Sequence, residues 1–308
     1  MGNTFLPYAL LAVCSLMYIN NAVADTVYAY NKAVDSRTQT ASRTVIGSKR
    51  YHIVKDGETL LDLARQYDLG YNEIVLANPN LDPWVPDVGA LVVIPQERII
   101  PDAPDNGIVI NIPEMRLYYF FSANGKKKVK TYPLGIGREG ASTPVGVFRI
   151  SSIEKNPTWD VPASIRRERP ELPAAIPPGP ENPLGTHWLR LSNTSYGIHG
   201  THRPLGVGRR VSHGCIRLYP EDIVKLASSV KIGTPVRILK QTVKFGFNEG
   251  SIYVEVEDPL KKASEKKSML KYAVDNLRKQ NLLGRIDMNA LQKAINDPRG
   301  FPVKISKN

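Results

Sequence analysis

Cysteine is almost absent from this sequence: two occur in 308 residues, Cys14 and Cys215. Histidine is scarce too, at five residues. No Asp, Glu, Lys or Arg precedes Asp25, and the apolar run Leu6 to Ile19 is shorter than the ~20 residues a membrane-spanning helix needs. Acidic residues are the minority charge, 29 against 41 basic ones. These shortages exclude a disulfide scaffold. With 42% hydrophobic and 23% charged residues, a disordered or fibrous chain is excluded as well. The net charge of +12 favours an anionic neighbour such as nucleic acid, a membrane surface or an acidic wall polymer, and charge alone does not choose among them. The length allows two or three domains, each with its own core.

The apolar run is followed by Ala22-Val23-Ala24, a small-x-small cleavage pattern, so residues 1–24 read as a secretory signal peptide. Its n-region lacks Lys and Arg, which leaves an uncleaved anchor as the alternative and as the only membrane contact expected. Leu11-Ala12-Val13-Cys14 has Val where a lipoprotein box needs a small residue. The body of the chain is then exported. Removal of Cys14 leaves Cys215 with no intrachain partner. A lone exported thiol is either a small buried hydrophobe or a reactive group. His213 two residues before it, Gly214 beside it and His199 sixteen residues upstream favour chemistry, because a thiol near imidazoles can become a thiolate nucleophile.

Residues 25–49 are polar and aperiodic and read as a flexible lead-in. Residues 50–96 follow a strand–helix–helix–strand order. Thr59 can cap a first helix with Asp62 at its third position, and Leu60, Leu63, Ala64 and Tyr67 mark its buried face. A second helix around 72–77 buries Ile74 and Ala77, and Leu91 to Ile94 is a strand stopped by Pro95. Between residues 100 and 240 the pattern turns to strands: 108–112, 116–121, 128–132, 147–153 and a closing strand 235–239, which predicts a mainly β sandwich or closed sheet. Eight prolines between Pro157 and Pro183 exclude a helix or central strand there, and predict a long rigid loop that walls or lids a site and offers Arg166, Arg167 and Arg169 to an acidic peptide. Pro220 opens a helix with Glu221 and Asp222 in its first turn. Residues 241–308 read as an α+β accessory region: a strand at 252–256, a charged helix at 261–279 and a short helix capped by Asp287. Nothing in it suggests chemistry.

His199, His202, His213 and Cys215 fall within seventeen residues. A zinc site is geometrically open to His-x-x-His and His-x-Cys spacings, but paired cysteines and a supporting carboxylate are missing, so no metal is expected. In the rival reading, an adjacent imidazolium pulls the thiol into the thiolate range, and His199 faces Cys215 across a sixteen-residue hairpin. Gly214 permits a tight turn that exposes the N–H groups of Gly214 and Cys215 as an oxyanion hole, and Gly200 lets a carbonyl approach His199 to set its tautomer.

Ile198-His199-Gly200-Thr201 followed by Ser212-His213-Gly214-Cys215-Ile216-Arg217-Leu218 resembles the signature of the L,D-transpeptidases of the YkuD domain family. Pro133-Leu134-Gly135-Ile136-Gly137 and Thr143-Pro144-Val145-Gly146 match it too. Tyr51 to Leu60, Ala77 to Asn80 and Val93 to Pro95 resemble a LysM module. The combination is similar to the periplasmic Gram-negative subgroup that includes enzymes joining Braun-type lipoprotein to peptidoglycan. The resemblance implies a YkuD-like β-sandwich, Cys215 as nucleophile, His199 as base and acid, and the Gly200 carbonyl orienting His199. His213 and Ser212 would shape the site, Gly214 would serve the oxyanion, and Arg217, Thr201 and Trp159 would meet substrate. Gly57, Thr59, Asn78 and Asn80 would hold glycan, unless the module only packs. It implies a peptidoglycan partner, a Braun-type lipoprotein as an acceptor, no nucleic acid and no cofactor. Transfer to water instead of an amine would make the chain an L,D-carboxypeptidase, and a silent β domain would leave a wall-binding tether.

Overall fold

The computed structural model describes residues 26–32, 42–257 and 263–307. The expected signal peptide lies outside the described residues. Among the described residues, six α-helices and many short strands build three packed units.

In the first unit the strands Lys49–Ile53 and Leu91–Pro95 pair antiparallel around two seven-residue helices, α1 (Leu60–Gln66) and α2 (Tyr71–Ala77). The Thr59 side chain accepts from Asp62 N–H while Asp62 reaches back to Thr59, a complete capping box. Leu60, Leu63, Ile74, Val92 and Ile94 form its core.

The second unit is a nine-stranded mixed sheet. Its order is Tyr28–Ala29, Lys126–Pro133, Arg116–Ala123, Gly107–Asn111, Pro235–Leu239, Gly146–Lys155, His187–Leu191, Gly197–His199 and Ile216–Arg217. Residues 107–111 are buried on both faces, so the strand's alternation sorts them into two cores. Ile108 and Ile110 join Leu117, Ile150, Leu189, Ile198 and Ile223, whereas Val109 joins Tyr30, Ile46 and Phe120. The ten-residue strand Gly146–Lys155 pairs first with Pro235–Leu239 and then with His187–Leu191, and a register shift at Ile150/Ser152 lets the sheet curl. The expected closing strand 235–239 therefore lies mid-sheet, parallel to Gly107–Asn111.

Three expectations need correcting. The lead-in is not a flexible arm where it is described: Tyr28–Ala29 is an edge strand, Val45–Ile46 pairs with Arg98–Ile99, and Tyr30 packs edge-on against Phe120 and donates to Asp105. Two-residue strands have no periodicity to read, and tertiary pairing alone makes them. The proline-rich stretch does hold a helix, α3 (Ala163–Glu168), because no proline falls between Pro162 and Pro170. Beyond Gln241, Val243–Asn248 is an extra strand paired with Ser251–Val256.

The third unit places α5 (Ala263–Lys279) and α6 (Met288–Asn296) on that hairpin, burying Ile252, Val254, Leu277, Leu291 and Ile295. Asp287 caps α6 by accepting from Asn289 and Ala290 N–H.

Buried ion pairs fasten both outer units to the sheet. On the first, Glu73 receives Arg98 at 2.8 Å and Arg116 at 2.7 Å. On the third, Lys244 binds Glu114 at 2.9 Å and Glu255 at 3.0 Å, with Glu257 beside them. Among the described residues, Glu114, Glu255 and Glu257 are the one trio of acidic, His or Cys side chains whose ligand atoms converge, and the Lys244 ammonium already occupies the cation's role there.

Candidate active site

The Gly197–His199 and Ile216–Arg217 strands put His199 and Cys215 at one end of the sheet. They do so by parallel pairing, Ile198 with Ile216 and His199 with Arg217, not by the expected hairpin. The intervening chain makes a crossover in which Arg210–Ser212 runs parallel to Ile136–Gly137. Both side chains line a cleft of about 500 Å³ together with Trp159, Trp188, Tyr196, Ser212, His213 and Arg217.

His199 is buried, its ring tilted 32° against Trp188 at a centroid distance of 5.4 Å. Its Nδ1 lies 2.6 Å from the Gly200 carbonyl. A carbonyl can only accept, so Nδ1 carries the proton and Nε2 keeps its lone pair. Burial pushes the imidazole pKa down, the Arg217 charge adds to this, and the Gly200 and Pro183 carbonyls oppose it, for a value of about 3. Burial likewise pushes the Cys215 thiol up, more than a backbone hydrogen bond from Gly197 and the Arg217 charge lower it. Both shifts oppose the expected imidazolium–thiolate pair. The same desolvation penalises the charged forms of both groups.

The turn before the thiol is braced from three sides. Gly214 has φ +108°, and a Cβ there would lie 2.3 Å from the Tyr196 ring, so only glycine fits. The Thr143 hydroxyl donates to the Gly214 carbonyl at 2.9 Å and accepts from Gly137 N–H at 3.0 Å, which explains why the Gly135–Gly137 and Thr143 stretches accompany the thiol. Ser212 Oγ donates to the Cys215 carbonyl at 2.6 Å and accepts from Gly214 N–H at 3.2 Å. The Gly214 amide expected at the oxyanion is thus already engaged by Ser212.

Residues 157–183 do wall the cleft. Thr158, Trp159, Asp160, Ser164 and Ile165 line it, whereas Arg166, Arg167 and Arg169 are exposed and outside the lining. The two ends of this wall are tied by Asn182, fully buried, which donates to the Pro157, Ile176 and Pro177 carbonyls. His213 turns outward to Glu168 of α3 at 3.2 Å, and Glu168 also holds Arg138 at 2.7 Å. Arg217 is half-buried in the cleft, no ion pair engages it among the described residues, and its Nε is buried without a partner.

Thr201 does not meet the cleft. Its chain leaves the sheet after His199, and the buried hydroxyl accepts from Arg203 N–H at 3.0 Å. Asn78 is likewise committed: its amide donates to the Ile74 and Val93 carbonyls and accepts from Val93 N–H, all at 2.8 Å, pinning α2 to the strand. Gly57 and Asn80 are exposed and Thr59 is half-buried in its cap. His52 bridges Tyr67 and Glu58. Thr143 and Asn182 had no assigned role in the sequence; Thr143 at least lies in a family-like stretch.

A model of the L,D-transpeptidase catalytic domain matches residues 105–238, and one of the LysM domain matches residues 52–95. The probable L,D-transpeptidase YcfS of Escherichia coli is 38% identical over 87% of this chain and 87% of its own length. The chain belongs to the L,D-transpeptidase family. Its likeness to this family extends to the probable L,D-transpeptidase YbiS of E. coli, 35% identical over 89% of this chain and 92% of that protein. The putative L,D-transpeptidase YkuD of Bacillus subtilis is 33% identical over 60% of this chain and 96% of its length. Among solved structures, the catalytic domain of the Enterococcus faecium L,D-transpeptidase aligns over 45% of this chain and 100% of that one, at 25% identity and a TM-score of 0.35. As an L,D-transpeptidase the chain is an enzyme, mainly β, with a LysM domain packed at its catalytic sheet. No helix among the described residues is long and apolar enough to cross a membrane.

Proposed function

We propose that this L,D-transpeptidase uses Cys215 to cut and rejoin peptidoglycan stems in the periplasm. The observation that carries the reading is His199, lining the same cleft as Cys215 with its Nδ1 held on the Gly200 carbonyl. Nε2 takes the thiol proton as Sγ bonds to the carbonyl carbon of the third stem residue, meso-diaminopimelate. The Cys215 N–H faces the developing oxyanion, joined by Gly214 N–H only if Ser212 releases it. Collapse breaks the peptide bond; the D-Ala amine leaves with the proton from His199, and a thioester remains on Cys215. An acceptor amine then attacks the thioester, gives its proton to His199, and the thiol is reprotonated as the new amide departs. Unpaired Arg217 suits a stem carboxylate, and Trp159 offers an apolar wall beside it. The acceptor is a lysine of a Braun-type lipoprotein or a second diaminopimelate.

Around this chemistry the LysM domain would hold the glycan through the exposed Gly57 turn and Asn80, with Thr59 shaping the first loop. The Asn78 side chain is left out because its hydrogen bonds are spent inside the fold.

Incubation with a carbapenem followed by intact-mass measurement should give one adduct on the wild type and none on Cys215→Ser. An unmodified wild type would refute the nucleophile. Disaccharide tetrapeptide, offered with and without a lysine-terminated peptide, identifies the acceptor: product only with the lysine peptide supports lipoprotein attachment, a stem dimer supports crosslinking, and tripeptide alone shows carboxypeptidase action.

A further inference from the structure

The LysM domain grips the chain on both sides of the thiol. Upstream, the N–H groups of Tyr71 and Asn72 at the start of α2 donate to the Val207 and Gly208 carbonyls at 3.2 and 3.3 Å. Gly208 has φ +80°, and a Cβ on it would lie 2.1 Å from Tyr71 N and 2.6 Å from the Gly70 carbonyl carbon, so the two backbones meet with no side chain between them. The Arg209 guanidinium stacks 3.8 Å from the Tyr71 ring centre and 5.3 Å from that of Trp84. From there the support runs straight to the thiol. The Arg209 carbonyl accepts from Ile136 N–H at 3.0 Å, Arg210–Ser212 lies along Ile136–Gly137, and Ser212 binds the Cys215 carbonyl.

Downstream, Tyr219 Oη donates to the Leu69 carbonyl at 3.1 Å, and Arg65 holds Glu221 through two bonds of 2.9 Å at the start of α4 (Pro220–Ser229). Cys215 therefore sits in a short span whose upstream end is fastened to α2 and whose downstream end is fastened to α1 and to Leu69 between the two helices.

We propose that the LysM domain is a positioning part of the active site: by clamping Gly208 and Tyr219–Glu221 it sets where Cys215 Sγ meets the acyl carbonyl. It then controls the rate of acylation even for substrates that carry no glycan. A purely wall-anchoring domain would leave reactions with small, sugar-free acyl donors untouched. The inference rests on Cys215 being the nucleophile.

The test uses the full chain, with Gly208→Ala, the charge reversals Arg65→Glu and Glu221→Arg, and the double reversal. Acylation by a carbapenem is followed by intact mass, kcat and KM are measured on a sugar-free tetrapeptide, and thermal unfolding reports the fold. Gly208→Ala should slow acylation about tenfold or more, lowering kcat with KM little changed, as expected when a reacting atom is displaced. Each single reversal should slow acylation about two- to fivefold, since an exposed pair is worth little in itself, and the double reversal should restore it. Folded single variants that acylate at the wild-type rate, or a double reversal that stays as slow as the singles, would overturn the proposal. If Gly208→Ala does not fold, the charge-reversal series decides alone. A wild type that is never acylated would instead defeat the nucleophile assignment, a result distinct from equal acylation in every variant.

Discussion

The two ionic seams that fasten the outer domains to the catalytic sheet solve one problem with opposite charge balance. At the LysM seam two guanidiniums, Arg98 and Arg116, pair with the carboxylate of Glu73, and the neighbouring Asp68 carboxyl is pushed well up by burial and by Asp222. At the C-terminal seam one ammonium, Lys244, faces Glu114, Glu255 and Glu257. Burial pushes Glu73 up, but the two arginines outweigh it and leave its carboxyl below the ordinary range. Burial also pushes Glu257 up, and there neighbouring Glu255 and Glu114 reinforce the shift beyond what Lys244 can offset. The Glu73 carboxyl is held towards its charged form and the Glu257 carboxyl towards its protonated form. A buried cluster is thus tuned by its counting of partners, not by burial alone.

The largest effects should come from removing each seam's central charge. Lys244→Ala and Glu73→Ala each strand buried charges and should cost about 3–5 kcal/mol at pH 7 in denaturant unfolding. Mild acid should partly rescue Lys244→Ala, whose stranded carboxylates can take up protons, but not Glu73→Ala, whose arginines cannot release them. Equal acid responses in the two variants would break the contrast.

The cleft adds a third buried titrating group. The His199 pKa falls from 6.5 to about 3 on folding, so the unfolded chain binds the extra proton between those values. Its stability contribution is complete above pH 6.5 and declines as pH falls towards 3, by up to about 1.4 kcal/mol per pH unit. Replacing His199 by Gln should flatten the pH dependence of unfolding in that window, and an unchanged slope would show that the imidazole is not desolvated.

The smallest effect is expected at Glu257. Its raised pKa means that stability is present at acid pH and lost as pH rises above the ordinary carboxylate range. Glu257→Gln mimics the protonated form and should stabilise the protein more at pH 8 than at pH 4, as urea unfolding at the two pH values would show. A loss of stability at pH 8 would mean that Glu257 is needed as an anion.

Much of the site was readable along the chain. Cys215, His199, Gly200 and Gly214 lie close together in sequence, and their spacing is the chemistry's own. The Thr59–Asp62 cap and the α6 cap at Asp287 are local in the same sense. The parallel pairing of His199 with Arg217 was not readable, since a crossover and a hairpin of equal length look alike in sequence. Thr201 and Asn78 were misread because hydrogen bonds to nearby or cross-strand backbone had already claimed them. The Asn182 staple and both ionic seams join residues whose types carry no message until the chain is folded.

By itself, then, the sequence named the groups that the proposed chemistry uses: a thiol, an imidazole and the glycines beside them. Only the tertiary structure decided their state and setting. Desolvation by the packed cleft pushes the His199 imidazole down and the Cys215 thiol up, and backbone contacts from a domain more than a hundred residues upstream hold the span that carries the thiol. Desolvation and long-range contact depend on what surrounds a residue in space, which no local pattern records.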